Sequence, residues 1–500
     1  MRRRLFCQSV LAASLAAPAI SRAALASAYA GLTKIDGELD ALSLSGAEQT
    51  LSRSAVQELA DSLRGALLIP GNAGYDVARQ VLNPDIDRYP ALVVRPTGSA
   101  DISNAVSFAS SNNLVVAVKC GGHSFSGKST CDGGLLIDLS SFRNVRVDQA
   151  RHSAFVTGGS LLGEIDHEAM AHGLVTPAGT VSHTGVGGLA TGGGFGRVAR
   201  RFGLTLDNIK SVDVVAADGK LHHASADENP ELLWAVRGGG GNFGVVTNFE
   251  FQLHAIPRQV IGGMLMFPMS KARELAEVYA QYSADCPDQL YTDLAIFYPP
   301  GNSDGFAGLD VCWSGKPGDY QKVMRPYYAI GEPASDNVKS IDYVALQRSG
   351  DTTDPRAMAT YLKGGFISRF TPELVKDIID GLQRDPRRMT MIYFQHSGGA
   401  ISRVPSDATA FAHRYATHNM LPMVSWAADS ERADHVRYHK EYWQLLKSHT
   451  HGFYTVEADD QSSGAINRNF QGNYAKLLSV KNRYDPHNIF RLNANIRPTV

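Results

Sequence analysis

Three glycine clusters, "CGGHSFSG" at 120–127, "GVGGLATGGGFG" at 185–196 and "GGGGNFG" at 238–244, constrain this chain more than any other feature. Glycine lacks a Cβ and adopts positive φ without steric penalty. Clusters of it make poor helix and strand interiors but good tight loops, open to close backbone approach. From about 90 to 255 the clusters alternate with short β-branched runs: "ALVVRP", "LVVAVKC", "GGLLIDLSS", "VRVD", "AFVTGG", "SVDVVAADG" and "GVVTNFEFQL". One amphipathic helix is predicted over Ser99–Asn112, after Pro96-Thr97-Gly98, and a second over Ser160–His172. The reading is an α+β domain whose loops, carrying few charges, suit a long ligand with a pyrophosphate held largely by backbone N–H groups.

Two familiar motifs compete for these loops. Gly122-x-x-x-x-Gly127-Lys128-Ser129 has the spelling of a phosphate-binding P-loop. A P-loop needs a helix directly after it, because the helix N-terminus holds the phosphates. Here "TCDGGLLIDLSS" follows, which predicts a turn and then a strand, so the match is incidental. Gly185-Val186-Gly187-Gly188-Leu189-Ala190 imitates a GxGxxA dinucleotide fingerprint. The preceding "TPAGTVSHT" is rich in turn residues where a buried strand is required, and the glycine-dense run after it is a poor helix start.

Elsewhere the chain narrows the function by exclusion. Its 500 residues carry 48 Lys and Arg against 49 Asp and Glu, so no basic field gathers nucleic acid, and a small-molecule partner is expected. The start "MRRRLFCQSVLAASLAAPAISRAALASAYA" joins an arginine cluster, with Arg3-Arg4-Leu5-Phe6 resembling a twin-arginine signal, to a short apolar stretch and small-residue cleavage sites. Residues 1–30 are therefore expected to be an export signal and the protein periplasmic or secreted, without stable membrane insertion. Cys120, Cys131, Cys286 and Cys312 remain beyond that segment, with one or two disulfides possible. They contain no CxxC pair, and no metal site is expected.

The texture changes near 257. "TPELVKDIIDGLQ" predicts a helix capped by Thr371, and "MTMIYFQHSGG" a strand whose alternation puts Tyr393 and Gln395 on one face and Phe394 and His396 on the other. "NYAKLLSVKNRYDPHNIFRLNANI" reads as a helix broken near Tyr484-Asp485-Pro486.

Taken in order, "PALVVRPTGSADISNAVSFASSNNLVVAVKCGGHSFSG", "GGLLIDLSS", "TPAGTVSHTGVGGLATGGGFGRVARRFGLTLDNI", "LLWAVRGGGGNFGVVTNFEF" and the C-terminal segment resemble the berberine bridge enzyme-like FAD-linked oxidases of the vanillyl-alcohol oxidase superfamily. The resemblance implies a two-part FAD-binding domain of the PCMH type, at 31–256 and 466–500, with an inserted α+β substrate domain at 257–465 containing an antiparallel sheet. It implies FAD as cofactor and a single covalent link through His123, because Val181 stands where many members have a second, cysteinyl link. The cofactor contacts it implies are Gly121, Gly122, Ser124, Phe125 and Gly127 in the first loop. In the second they are Thr180, Thr184, Gly185, Gly188, Gly192, Gly193, Phe195 and Gly196. Gly244, Val245, Val246 and Asn495 complete the set.

The implied activity is hydride transfer from an alcohol, hemiacetal or activated C–H to FAD, with O2 as oxidant and hydrogen peroxide as product. Thr184 occupies the position that governs oxygen access, and its small size goes with oxidase activity. The alternatives are a dehydrogenase using another acceptor and a flavin-bearing binding protein. In many relatives a Tyr-x-x-Tyr pattern on a strand supplies the base. The matching "GFYTVEADD" keeps Tyr454 but has Glu457 in place of the catalytic Tyr, so Glu457, Tyr454, Gln395 and His396 are the catalytic candidates.

Overall fold

The computed structural model describes residues 34–299, 304–351, 354, 356–427, 432–457 and 462–500. The expected export signal at 1–30 lies outside the described residues. Ser99–Ser111 forms the first expected helix, burying Ile102, Ala105, Val106 and Ala109 at the three- and four-residue spacing of one helical face. Its buried Asp101 accepts backbone N–H bonds from Arg64, Gly65 and Thr97, which anchors the helix start against the preceding loop. The second expected helix spans Leu162–Met170.

Two sheets carry the glycine loops. One has the order Ala66–Leu68, Leu92–Arg95, Leu135–Asp138, Val116–Lys119, the last three strands being parallel. The connection through 120–134 contains no helix, as a turn followed by a strand requires, and Lys119 and Leu135 therefore lie at the two ends of an irregular loop. The other sheet is antiparallel, in the order Leu221–Ala224, Ile209–Val215, Val245–Gln252, Ser153–Thr157, Val145–Asp148. Contrary to the expectation from its glycine density, Val186–Gly192 does form a short helix. Its glycines allow close contact, since a Cβ at Gly187 would lie 2.8 Å from the Gly158 carbonyl.

Residues 259–427 build a larger sheet, running through Gln259–Pro268, Phe306–Trp313, Leu290–Phe297, Thr390–His396, His418–Ala427 and Met358–Leu362, with every pairing antiparallel. Strand alternation gives it two unlike faces. Leu290, Leu294, Ile296, Ile392 and Phe394 pack with Leu275, Tyr279, Met324, Leu374, Ile378 and Tyr442 of the covering helices. Tyr291, Asp293, Tyr393 and Gln395 point the other way, toward the glycine loops. The covering helix Pro372–Leu382 starts as its sequence predicts, with Thr371 Oγ1 accepting the Leu374 N–H at 3.2 Å.

Two arginines of "GRVARRFG" join the sheet to the loops. Arg197 pairs with Asp310 at 2.8 Å and reaches Gln347 at 2.9 Å. Arg200, 1 % exposed, donates to the carbonyls of Cys286, Leu290 and Ser397. The C-terminal helix Tyr474–Tyr484 ends at Asp485-Pro486. Its buried Lys481 donates to Asn242 O in the third glycine loop, Phe490 O and Asp485. Cys120, Cys131, Cys286 and Cys312 are all free thiols, so no disulfide joins them. Among the described residues, no helix is long and apolar enough to cross a membrane, and no cluster of three or more His, Cys, Asp or Glu is placed to hold a metal.

Candidate active site

Where the inner face of the large sheet meets the glycine loops there is a cavity of about 510 Å³. Gly121, Gly122, His123, Ser124 and Phe125 line it from the first loop, and Thr180, Val181, Thr184, Gly185, Gly188 and Phe195 from the second. Gly244, Val245 and Val246 follow from the third, and Tyr291, Gln395, Tyr454 and Glu457 close the opposite side. The first two loops touch backbone to backbone: a Cβ on Gly121 would lie 2.4 Å from Gly185 N, and one on Gly185 2.3 Å from Gly121 N. Only glycine fits at either position.

Six expected site residues do not line the cavity. Gly127 faces Ile86, Gly196 sits against the Ala178 carbonyl, and Gly192 and Gly193 make room for Val456 and Tyr454. These glycines shape the wall from behind. Asn495 has its buried Oδ1 without a hydrogen-bond partner, while its neighbours Asn493 and Ala494 line the cavity. His396 is a correction with a clear cause: strand alternation turns it to the helix-covered face, where its ring meets Ser283 O at 2.8 Å and stacks on His418.

Lys128 is the residue that sequence reasoning undervalued. Its chain reaches the cavity wall and Nζ donates to Thr455 O at 2.6 Å, holding the turn that carries Glu457. Nothing local in the sequence links positions 327 residues apart. The "GFYTVE" segment is also not a strand: 455–457 is a turn closed by Glu457 N–H donating to Tyr454 O at 3.2 Å.

That turn places a carboxyl where it can titrate. Glu457 Oε1 accepts from Gln395 Nε2 at 3.2 Å, and Oε2 accepts from Asn419 Nδ2 at 3.1 Å. Burial raises Glu457 to about 7, outweighing the two amide donors that favour its anion. Gln395 Oε1 in turn accepts from Asn419 at 2.8 Å, so its amide is fixed in orientation. Tyr454, by contrast, is a poor base candidate. Its hydroxyl accepts the Gly194 N–H at 2.7 Å, its ring packs edge-on to Phe195, and burial drives its ionisation well above the ordinary range.

His123 lies across the cavity's first loop. Its Nε2 is 2.7 Å from His183 Nδ1 and its Nδ1 3.3 Å from Thr184 Oγ1. Burial, reinforced by the neighbouring His183, lowers its protonation to about 4, so the imidazole is neutral near pH 7 and keeps a nitrogen lone pair.

The cavity fits an extended, largely backbone-held cofactor. Gly188 and Gly240 both line it, and a Cβ built on either meets nothing within 4 Å, so these backbones face open space. Ser129 Oγ and His183 Nε2, both on lining residues, are buried without a protein partner. Lys128 is the one Lys or Arg among the lining residues described, which leaves backbone N–H groups as the main donors for a pyrophosphate.

Comparison with known proteins agrees with this geometry. A profile described as an FAD binding domain matches residues 90–225, and one described as berberine and berberine like matches 455–497. An FAD-linked oxidoreductase of Dictyostelium discoideum is 31% identical over 448 residues, covering 89% of this chain and 97% of the relative. (R)-6-hydroxynicotine oxidase of Paenarthrobacter nicotinovorans is 26% identical, covering 87% and 97%. Among solved structures, 6-hydroxy-D-nicotine oxidase from Arthrobacter nicotinovorans superposes with a TM-score of 0.79 at 26% identity, over 87% of this chain and 98% of that one. A chitooligosaccharide oxidase shares the fold, with a TM-score of 0.80 at 24% identity over 89% and 100%. The glycine-walled cavity, the C-terminal return onto the third loop and these likenesses together make the chain a member of the berberine bridge enzyme-like FAD-linked oxidoreductases, with their PCMH-type FAD-binding fold.

Proposed function

We propose that this oxidoreductase is an exported oxidase that carries one covalent FAD on His123, removes hydride from an alcohol, hemiacetal or activated C–H of a small molecule, and uses Glu457 as the base. The division into 31–256 with 466–500 for the cofactor and 257–465 for the substrate is part of the same proposal. Bound FAD supplies the two-electron acceptor, and O2 takes those electrons to give hydrogen peroxide. The protein's own contribution is proton removal and orientation. With the Gln395 and Asn419 amides holding its two oxygens, the Glu457 carboxylate is fixed in the cavity wall, ready to accept a proton from the substrate hydroxyl. The single observation that carries this reading is that buried, amide-held carboxyl, poised to titrate near neutral pH beside a cavity suited to FAD.

The test is anaerobic reduction of the flavin across a panel of sugars, polyols and heterocyclic alcohols, followed by readmission of air. Glu457→Gln is expected to slow reduction by about 10² to 10⁴-fold while substrate affinity changes little. Wild-type reduction should rise with pH as the carboxyl ionises near 7. Peroxide formed on air admission supports the oxidase; reduction without peroxide identifies a dehydrogenase. An unchanged reduction rate in the variant removes Glu457 as the base.

A further inference from the structure

The antiparallel register of the large sheet lines up a row of polar side chains on the face toward the cavity. Asp310 is directly opposite Asp293, and Gln395 directly opposite Asn419. The register that pairs Leu294 with Phe394 makes Asp293 and Gln395 the next residues along the two strands, and the His396 N–H closes on Asp293 Oδ1 at 2.8 Å. Asp310 is neutralised by Arg197, and Gln395 and Asn419 both bind Glu457. Among the described residues no cation pairs with Asp293, which is 0 % exposed: its Oδ2 receives the hydroxyls of both Tyr291 and Tyr393, and Tyr291 itself lines the cavity.

We propose that Asp293 is a positioning residue for proton acceptance, a second buried carboxyl on the same polar row whose charge tunes the pH at which Glu457 ionises, with Gln395 between them. This rests on the proposed role of Glu457. The physical argument is simple electrostatics. Two uncompensated carboxyls in one buried patch resist being anionic together, so ionising one makes ionising the other harder. Burial raises Asp293 to about 7, and its field contributes to the rise at Glu457.

The groups around Asp293 set the sign. On its own strand and the strand carrying Gln395, Tyr291, Tyr393 and the His396 N–H stabilise its anion. From the neighbouring strand Asp310 opposes that anion, its own charge balanced by Arg197. Behind, Tyr279 and the ring of His396 belong to the helix-covered side; burial keeps that ring neutral, and the Arg200 charge also disfavours its protonation. No cation therefore stands against Asp293 itself among the described residues.

Infrared titration of the purified holoprotein tests this without any substrate. The C=O stretch of protonated carboxyls is followed from about pH 5 to about pH 9, and the Glu457 band is identified by its loss in Glu457→Gln. In Asp293→Asn, which keeps an oxygen acceptor for the phenols, the Glu457 midpoint should fall by about one pH unit. Tyr393→Phe, which removes a donor to the Asp293 anion without touching the cavity lining, should lower it by less. A Glu457 midpoint unmoved in both variants overturns the proposal. Because the readout is a titration and not turnover, it stands apart from the test of Glu457 as base.

Discussion

His123 shows how much a single side chain's protonation decides. An imidazole can form a bond to a flavin methyl carbon only through a nitrogen lone pair, and protonation removes it. Burial and His183 both push the proton off, so the ring is neutral well below pH 6.5. The 3.3 Å contact with Thr184 Oγ1 and the 2.7 Å contact with His183 fix the ring's rotation. If His123 carries the link, yellow colour should remain on wild-type protein after acid precipitation and leave with the supernatant in His123→Ala. Release from wild type, or retention in the variant, refutes the linkage. Binding itself should survive in the variant, weakened, because the backbone cradle around Gly121, Gly185 and Gly240 is untouched.

At the scale of elements, local signals behave as local physics predicts. The helix Pro372–Leu382 has Pro at its first turn and Thr371 as cap, both visible in "TPELVKDIIDGLQ". Thr371→Ala should cost about 1 kcal/mol, seen as a lower urea midpoint with an unchanged slope; no loss would mean that water replaces the Leu374 N–H bond. The same legibility covers Ser99–Ser111, the strand Thr390–His396 and the break at Pro486, since each follows from apolar spacing or proline sterics within a dozen residues. What was hidden depends on contacts between distant segments. Alternation put Gln395 and His396 on opposite faces, but which face met the cavity depended on the helices that cover the other one. The P-loop spelling around Lys128 is incidental, but that Lys128 holds the turn at 455–457 depends on a contact no local pattern announces. The short helix Val186–Gly192 forms despite its glycines because close packing against Gly158 outweighs propensity.

Across the whole molecule, the join between the large sheet and the glycine loops buries several ionisable groups, among them Asp166, Arg197 and Asp310, and this gives its stability a specific pH signature. Asp166, on the helix Leu162–Met170, is buried beside the Arg197–Asp310 pair, accepts from Gln347 Nε2 at 3.2 Å, and is raised from 3.8 to about 7 by burial. Between those values the folded chain holds a proton that the unfolded chain has released. Asp166 thus supports folding fully below about pH 3.8, and that support is lost as the pH rises through 7. Buried His413 and His418, depressed to about 4 and about 3, act in the opposite sense, losing stability as the pH falls below 6.5. A wild-type stability curve therefore blends opposing slopes, and only a difference between variants isolates one group. Asp166→Asn does not titrate, so its stability measured against wild type should improve steadily from about pH 4 to about pH 7, by up to about 4 kcal/mol for a shift of about three units. The comparison uses urea unfolding of the two holoproteins at matched pH. A gap that stays flat across that range would mean that Asp166 is already ionised in the folded state, held by Arg197 through Gln347 more strongly than burial opposes it.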